Sequence, residues 1–249
     1  MARISNRLGI EIPLLQIFEA PTISLLSKYI ESVNTSNNCS TGDYPLVPTP
    51  RETEADIPLS LTQQGMWFLA QLKDNRAAYN LVRAFVITGS LDTTSLENAI
   101  ATLIDRHEIL RTTFEAGEGM PFQRISSHIG LPLSIVDLST EGFDGIEEVI
   151  LQEQNRPFDL IQGPLLRFTL ICLGQEKQIL LLTMHHIISD DWSIQVLLSE
   201  LSSLYTAGLT QKSPSLPALP IQYVDYAAWQ RHRFTGEFRD SQIKWVRLL

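Results

Sequence analysis

Two adjacent histidines, followed closely by a pair of aspartates, are the residues of this chain best suited to chemistry: Met184-His185-His186-Ile187-Ile188-Ser189-Asp190-Asp191-Trp192-Ser193. An imidazole titrates near neutral pH, so a histidine at the edge of a cleft can take up a proton or hold a proton-bearing nucleophile. The two rings cannot easily share one task. The preceding run, Ile179-Leu180-Leu181-Leu182-Thr183-Met184, is short and continuously apolar, as a buried strand is, and neighbouring side chains on a strand leave on opposite faces. One histidine should face the interior of its layer and the other the cleft at the strand end, where open α/β sheets place their sites. With the rings opposed, only five histidines in the chain and no cysteine near the pair, a shared zinc ion is disfavoured.

The elements around this motif follow from periodicity. From Ser193 to Tyr205, the residues Ile194, Leu197, Leu198, Leu201, Leu204 and Tyr205 recur at helical spacings, with Gly208 as the stop. The acidic pair therefore stands at a helix start, where Asp190 or Asp191 caps free N–H groups and both carboxylates gain from the helix dipole. Upstream, a helix at about Thr62 to Gln71 leads to a strand at Leu81 to Thr88. Asp92 or Thr93 then caps a helix with the apolar face Leu96, Ile100, Leu103 and Ile104. A hairpin of Thr112 to Glu115 and Phe122 to Ile125 turns at Gly117-Glu118-Gly119, a short strand covers Leu133 to Val136, and a helix covers Ile146 to Gln154. A second hairpin, Leu165 to Leu173 and Gln178 to Ile187, turns at Gly174-Gln175-Glu176-Lys177 and delivers the histidines. Beyond the extended loop Ser213 to Pro220, Tyr223, Tyr226, Ala227 and Trp229 mark a helix whose aromatic residues read as core. The expected architecture is an α/β lobe with a mixed sheet.

Composition limits what such a lobe does. At 249 residues and 44% hydrophobic, the chain has material for a real core. No apolar run approaches the roughly 20 residues that span a bilayer, and no signal-peptide pattern opens the chain, which reads as cytoplasmic. Two cysteines, Cys39 and Cys172, make no disulfide framework. A net charge of -9 disfavours nucleic acid or an anionic membrane as partner. Residues 33–57, rich in Ser, Thr, Asn and Pro, read as a flexible linker with no role beyond reach. Residues 1–32 read as a small helical piece closed at Gly9 and reopened by a helix from Ile23 to Ile30 with Thr22 as cap.

His185-His186-x-x-x-Asp190 resembles the HHxxxDG motif of nonribosomal peptide synthetase condensation domains, which are similar in fold to chloramphenicol acetyltransferase. Three further stretches resemble that family's motifs, in its order: Ser60-Leu61-Thr62-Gln63-Gln64-Gly65-Met66-Trp67-Phe68-Leu69 (SxAQxRLWxL), Arg106-His107-Glu108-Ile109-Leu110-Arg111-Thr112-Thr113-Phe114 (RHExLRTxF) and Tyr223-Val224-Asp225-Tyr226-Ala227-Ala228-Trp229 (YxDFAVW). Leu8-Gly9-Ile10-Glu11-Ile12-Pro13-Leu14 with Ile17 to Ile23 resembles the closing half of a peptidyl carrier domain, without the GGxSL serine that carries phosphopantetheine.

The resemblance implies amide formation between an acceptor amine and a donor thioester, both delivered on phosphopantetheine arms of partner carrier domains, with no cofactor or metal bound by the lobe itself. It places the catalytic role, as base or positioning group, on His186, a supporting role on His185, and a structural ion pair on Asp190, with Arg106 or Arg111 as partner. Asp191 stands where the family has Gly, which raises the question of a positive φ at that position. The implied division is 1–32 incomplete carrier domain, 33–57 linker, and 58–249 the N-terminal lobe of a condensation domain. The second lobe, the upstream and downstream carriers and an adenylation domain are the implied partners, and a fragment without its second lobe is expected to be inactive. An epimerisation domain shares the histidine motif, and a non-catalytic carrier-docking fragment is the third alternative. Gln63 to Trp67 and Arg106 to Glu108 resemble the condensation versions more closely. A cyclising relative is disfavoured because it replaces the histidine pair by an acid.

Overall fold

The computed structural model describes residues 20, 22–35, 45–51, 57–72, 77–116, 120–140 and 144–234. The chain divides into two compact units, Met1–Tyr44 and Pro45–Leu249. In the first, helix α1 (Ile23–Thr35) starts at Thr22, whose hydroxyl accepts from the Leu25 N–H at 3.2 Å. It runs past the expected end at Ile30, while the carrier-like Leu8-Gly9 stretch lies outside the described residues.

The second unit holds β1 (Ile57–Pro58), α2 (Leu61–Gln71), β2 (Asn80–Thr88), α3 (Thr93–Arg106), a single 3-10 turn (Glu108–Arg111), β3 (Thr112–Ala116), β4 (Pro121–Ile125), β5 (Leu133–Asp137), α4 (Asp144–Asn155), β6 (Leu166–Cys172), β7 (Lys177–His185), α5 (Asp191–Thr210) and α6 (Tyr223–Arg233). Four strands form a mixed sheet in the order β2-β7-β6-β5, antiparallel except for β5 alongside β6, and three form a small antiparallel sheet, β1-β4-β3. Both expected hairpins form. The second turns through Gly174 at φ 139, a conformation that glycine adopts without penalty. The tip at Gly117-Glu118-Gly119 lies outside the described residues.

Strand alternation sorts β7 between two cores. Leu180, Leu182 and Met184 join Leu96, Ile100 and Leu103 of α3 and Leu197, Leu201 and Leu204 of α5 in the larger cluster. Ile179 and Leu181 join Leu138 and Ile171 in the smaller one, against which Ile146, Val149 and Ile150 of α4 pack. Helices thus cover both faces of the sheet. Burying each such aliphatic side chain contributes about 1.5–3 kcal/mol, far more than any exposed ion pair, so this layering sets where the strand ends and where the histidines fall.

Two helices of this unit differ from expectation. Gly208 does not stop α5; it lies within it, where an added Cβ would meet Ser95 Oγ at 3.3 Å, so it serves close packing against α3. The stop is Gln211, in the left-handed region at φ 50. In α6 the buried face is Val224, Asp225, Ala227 and Gln230. Tyr223, Tyr226 and Trp229 instead form a ladder of rings 5.5 and 5.8 Å apart along a more exposed face. Their helical spacing, read as core, marks a half-covered stack.

The stretch read as a free linker is fastened at its end. Pro45–Arg51 belongs to the second unit, and β1 begins at Ile57, the last residue assigned to the tether. Arg51 grips Asp225 with both terminal nitrogens, at 2.7 and 3.1 Å, while its Nε donates to Glu108 Oε2 at 3.0 Å. The Thr49 and Gln222 N–H groups also donate to Asp225, at 2.7 and 2.6 Å. Burial pushes the Asp225 carboxyl up, but Arg51 and these two N–H groups outweigh it and bring its pKa down to about 2.

Candidate active site

His185 ends β7 and is buried, with 1% of its surface exposed. Its ring stands near Tyr79 and edge-on to Phe158, both at 6.2 Å between centroids, and its Nδ1 accepts the Ile187 N–H at 3.1 Å. That hydrogen bond needs the Nδ1 lone pair, so the proton of the neutral ring sits on Nε2. Burial, and secondarily the neighbouring His186, lower the His185 pKa from 6.5 to about 4. This histidine supports the strand end.

Holding the ring neutral couples folding to pH. Because the unfolded ring titrates near 6.5, the stability gained by keeping it neutral is fully present above that pH and is lost as the pH falls towards 4. The expected loss over this window is about 3 kcal/mol. His185→Gln, which cannot charge, should flatten that part of the profile; denaturant titrations across the window check it. An unchanged slope would place the sensitivity elsewhere.

His186 is the first residue past the strand and is exposed. Its backbone N–H donates to Tyr79 O at 2.8 Å, and its Nδ1 donates to Ser189 O at 2.6 Å. A carbonyl oxygen only accepts, so Nδ1 carries the proton, and in the neutral ring Nε2 keeps a free lone pair. Ser189 is held in turn, its hydroxyl donating to His185 O at 3.1 Å. The result is an oriented imidazole with its basic nitrogen available, able to take a proton from a nucleophile or to orient it.

Asp190 is a helix cap and does not form the expected ion pair. Its carboxylate accepts the Ser193 N–H at 2.7 Å while Ser193 Oγ accepts the Asp190 N–H at 2.7 Å, a reciprocal capping box. The Ser193 N–H holds its pKa below the ordinary carboxylate range. Asp191 begins α5 in helical geometry, so no positive φ arises where the family has Gly; among the described residues Gln211 is the one non-glycine with positive φ. Asp191 instead pairs with Arg83 of β2, but at 78% and 42% side-chain exposure this bridge contributes at most about 1 kcal/mol.

Arg106 and Arg111 turn elsewhere. Arg106 and His107 both bind Glu200 of α5, with Arg106 Nε at 3.0 Å and His107 Nε2 at 2.6 Å from Oε2. Arg106 also donates to Pro217 O at 2.6 Å. Arg111 donates through Nη1 to Ser126 O, and its Nε is buried without a hydrogen-bond partner. Glu108 receives Arg51, and the Glu108 N–H donates to Gln222 Oε1 at 3.1 Å. The arginine motif thus ties α3 to α5 and α6 rather than to Asp190. Glu200 was not singled out by sequence reasoning; its one signal is an acid set between Leu197, Leu201 and Leu204 on an otherwise apolar face.

The assembly is a helix-covered mixed sheet presenting one oriented, solvent-facing imidazole at a strand end. The chain belongs to the condensation-domain family: the family described as Condensation domain matches residues 53–243. The chain is 38% identical over 251 residues to a linear gramicidin synthase of Brevibacillus parabrevis, covering 99% of this chain and 5% of that protein. It is 36% identical over 251 residues to the beauvericin nonribosomal cyclodepsipeptide synthetase of Beauveria bassiana, covering 99% of this chain and 8% of that protein. Among solved structures it is similar to the X-domain from teicoplanin biosynthesis, at 29% identity and a TM-score of 0.72, covering 81% of this chain and 44% of that one. The chain therefore spans a small part of these synthetases and under half of that solved domain. No helix among the described residues is long and apolar enough to cross a membrane.

Proposed function

We propose that this chain is part of a cytoplasmic nonribosomal peptide synthetase, in which its lobe serves amide formation between two carrier-bound substrates. The observation that carries this reading is His186: Nδ1 bound to Ser189 O, Nε2 free at the strand end, within a family whose relatives build peptides and depsipeptides. The acceptor amine attacks the donor thioester carbonyl, the C–N bond forms, and the C–S bond breaks as the tetrahedral intermediate collapses. An ammonium is not nucleophilic, so the nitrogen must shed protons on the way. The free Nε2 accepts one and returns it to the departing thiolate, or holds the amine in line for the attack. His185 and the Asp190 cap keep this imidazole in place. The phosphopantetheine arms belong to partner carrier domains, an adenylation domain loads them, and residues 1–32 are the closing part of one carrier.

These 249 residues supply only part of the site, since the solved domain that they match is more than twice as long as the stretch they cover. Holding both reactants in near-attack geometry is worth up to about 7 to 11 kcal/mol, and one open face provides little of it. The test supplies loaded donor and acceptor carriers to the 249-residue chain and to a protein extended to full domain length, with products read by mass spectrometry. The extended protein should transfer the donor acyl group to the acceptor carrier, and the shorter chain should not. Inversion of the donor without transfer would instead identify an epimerisation domain. Equal rates from both would show that the rest of the domain is not needed.

A further inference from the structure

A cavity of about 340 Å³ opens on the α5 side of the sheet, and its walls flank the histidine motif. Met184 and Ile188, two residues before and two after His186, line it, while His186 itself stands just past the strand end and is not one of the lining residues. Trp192 and Val196 on the first turns of α5, and Tyr223 and Tyr226 of the aromatic stack, close the other sides. Among the described residues, no Asp, Glu, Lys or Arg lines it. The polar groups at its edge are already engaged: His107 with Glu200, Ser193 in the helix cap, and Gln222 with the Glu108 N–H and Arg106 O. A charged group entering here would lose hydration without gaining a counter-ion, whereas an apolar one would exchange water for aliphatic and ring contacts.

We infer that this cavity receives the uncharged aliphatic or aromatic side chain of the aminoacyl substrate presented to His186. The inference rests on His186 as the reacting position and adds a preference: large apolar residues over small or charged ones. It gives Val196, exposed enough on α5 to change without disturbing the core, the part of a specificity-determining residue.

The probes are the uncharged N-acetyl amides of glycine, leucine and phenylalanine, titrated into the 249-residue chain while the methyl resonances of Met184 and Ile188 are followed. The leucine and phenylalanine amides should shift both methyls and bind at least about tenfold tighter than the glycine amide, the difference that burial of several carbons supplies. Val196→Trp should fill the space and weaken both at least about tenfold. Leu219→Ala, which enlarges the cavity from the loop side and depends less on repacking of α5, should turn the preference towards phenylalanine. Equal affinity for all three amides, or binding insensitive to both substitutions, overturns the inference. The two readings fail separately. Selective binding at Met184 and Ile188 with undiminished amide formation after loss of the imidazole would sink the role of His186 and leave the cavity standing, and unselective binding would do the reverse.

Discussion

Alanine in place of His186, in a synthetase that carries this domain, should lower single-turnover amide formation about a hundredfold or more, the usual scale for losing a general base. The protein should stay folded. His186 is exposed, and its side chain has one hydrogen bond to lose, to Ser189 O, worth about 1 kcal/mol net. His185→Ala should behave oppositely, because its ring is buried between Tyr79 and Phe158 and its absence leaves a void and an unpaired Ile187 N–H. Rates with loaded carriers and melting temperatures on the same samples separate the two effects. Near-normal turnover in a well-folded His186→Ala protein would remove the proposed role.

The largest loss of stability should come from Arg51. Replacing it by alanine leaves the Asp225 carboxylate, 1% exposed, with two backbone N–H groups and no counter-charge, at a cost of about 3 to 5 kcal/mol. Asp225→Asn should cost less, because it removes the buried charge together with the need for a counter-ion. A double-mutant cycle by denaturant unfolding should give a coupling energy well above about 0.5 kcal/mol. Additive losses would mean that the segment before β1 is an unattached tether after all.

What could be read ahead of the fold was local. The opposed roles of the histidines follow from a period of two along an apolar run, and the α5 start follows from two acids before a helical pattern; both are signals within a few residues. The Arg51–Asp225 contact joins positions 174 residues apart, and a Thr- and Pro-rich stretch contains nothing to say that its single arginine is committed. The partner of Asp190 illustrates the reverse. Its capping role was legible from its neighbours, and the ion pair with Arg106 or Arg111, taken from resemblance, is displaced because Glu200 and Ser126 O already hold those guanidinium groups. Aromatic spacing in α6 showed a face but not how deeply that face is covered.

Strand β7 pairs residue for residue with all nine positions of β2, from Lys177 opposite Thr88 to His185 opposite Asn80. The identity of the exposed imidazole is therefore a matter of parity. In a hybrid assembled from pieces of related synthetases, a junction that adds or drops one residue between Lys177 and His185 would carry the buried ring's position outward and the outer one inward, with composition and motif intact. Crossover points on the turn at Gly174 or within the loop from Gln211 to Ile221 preserve that count, and a chimaera joined there keeps its histidines in phase.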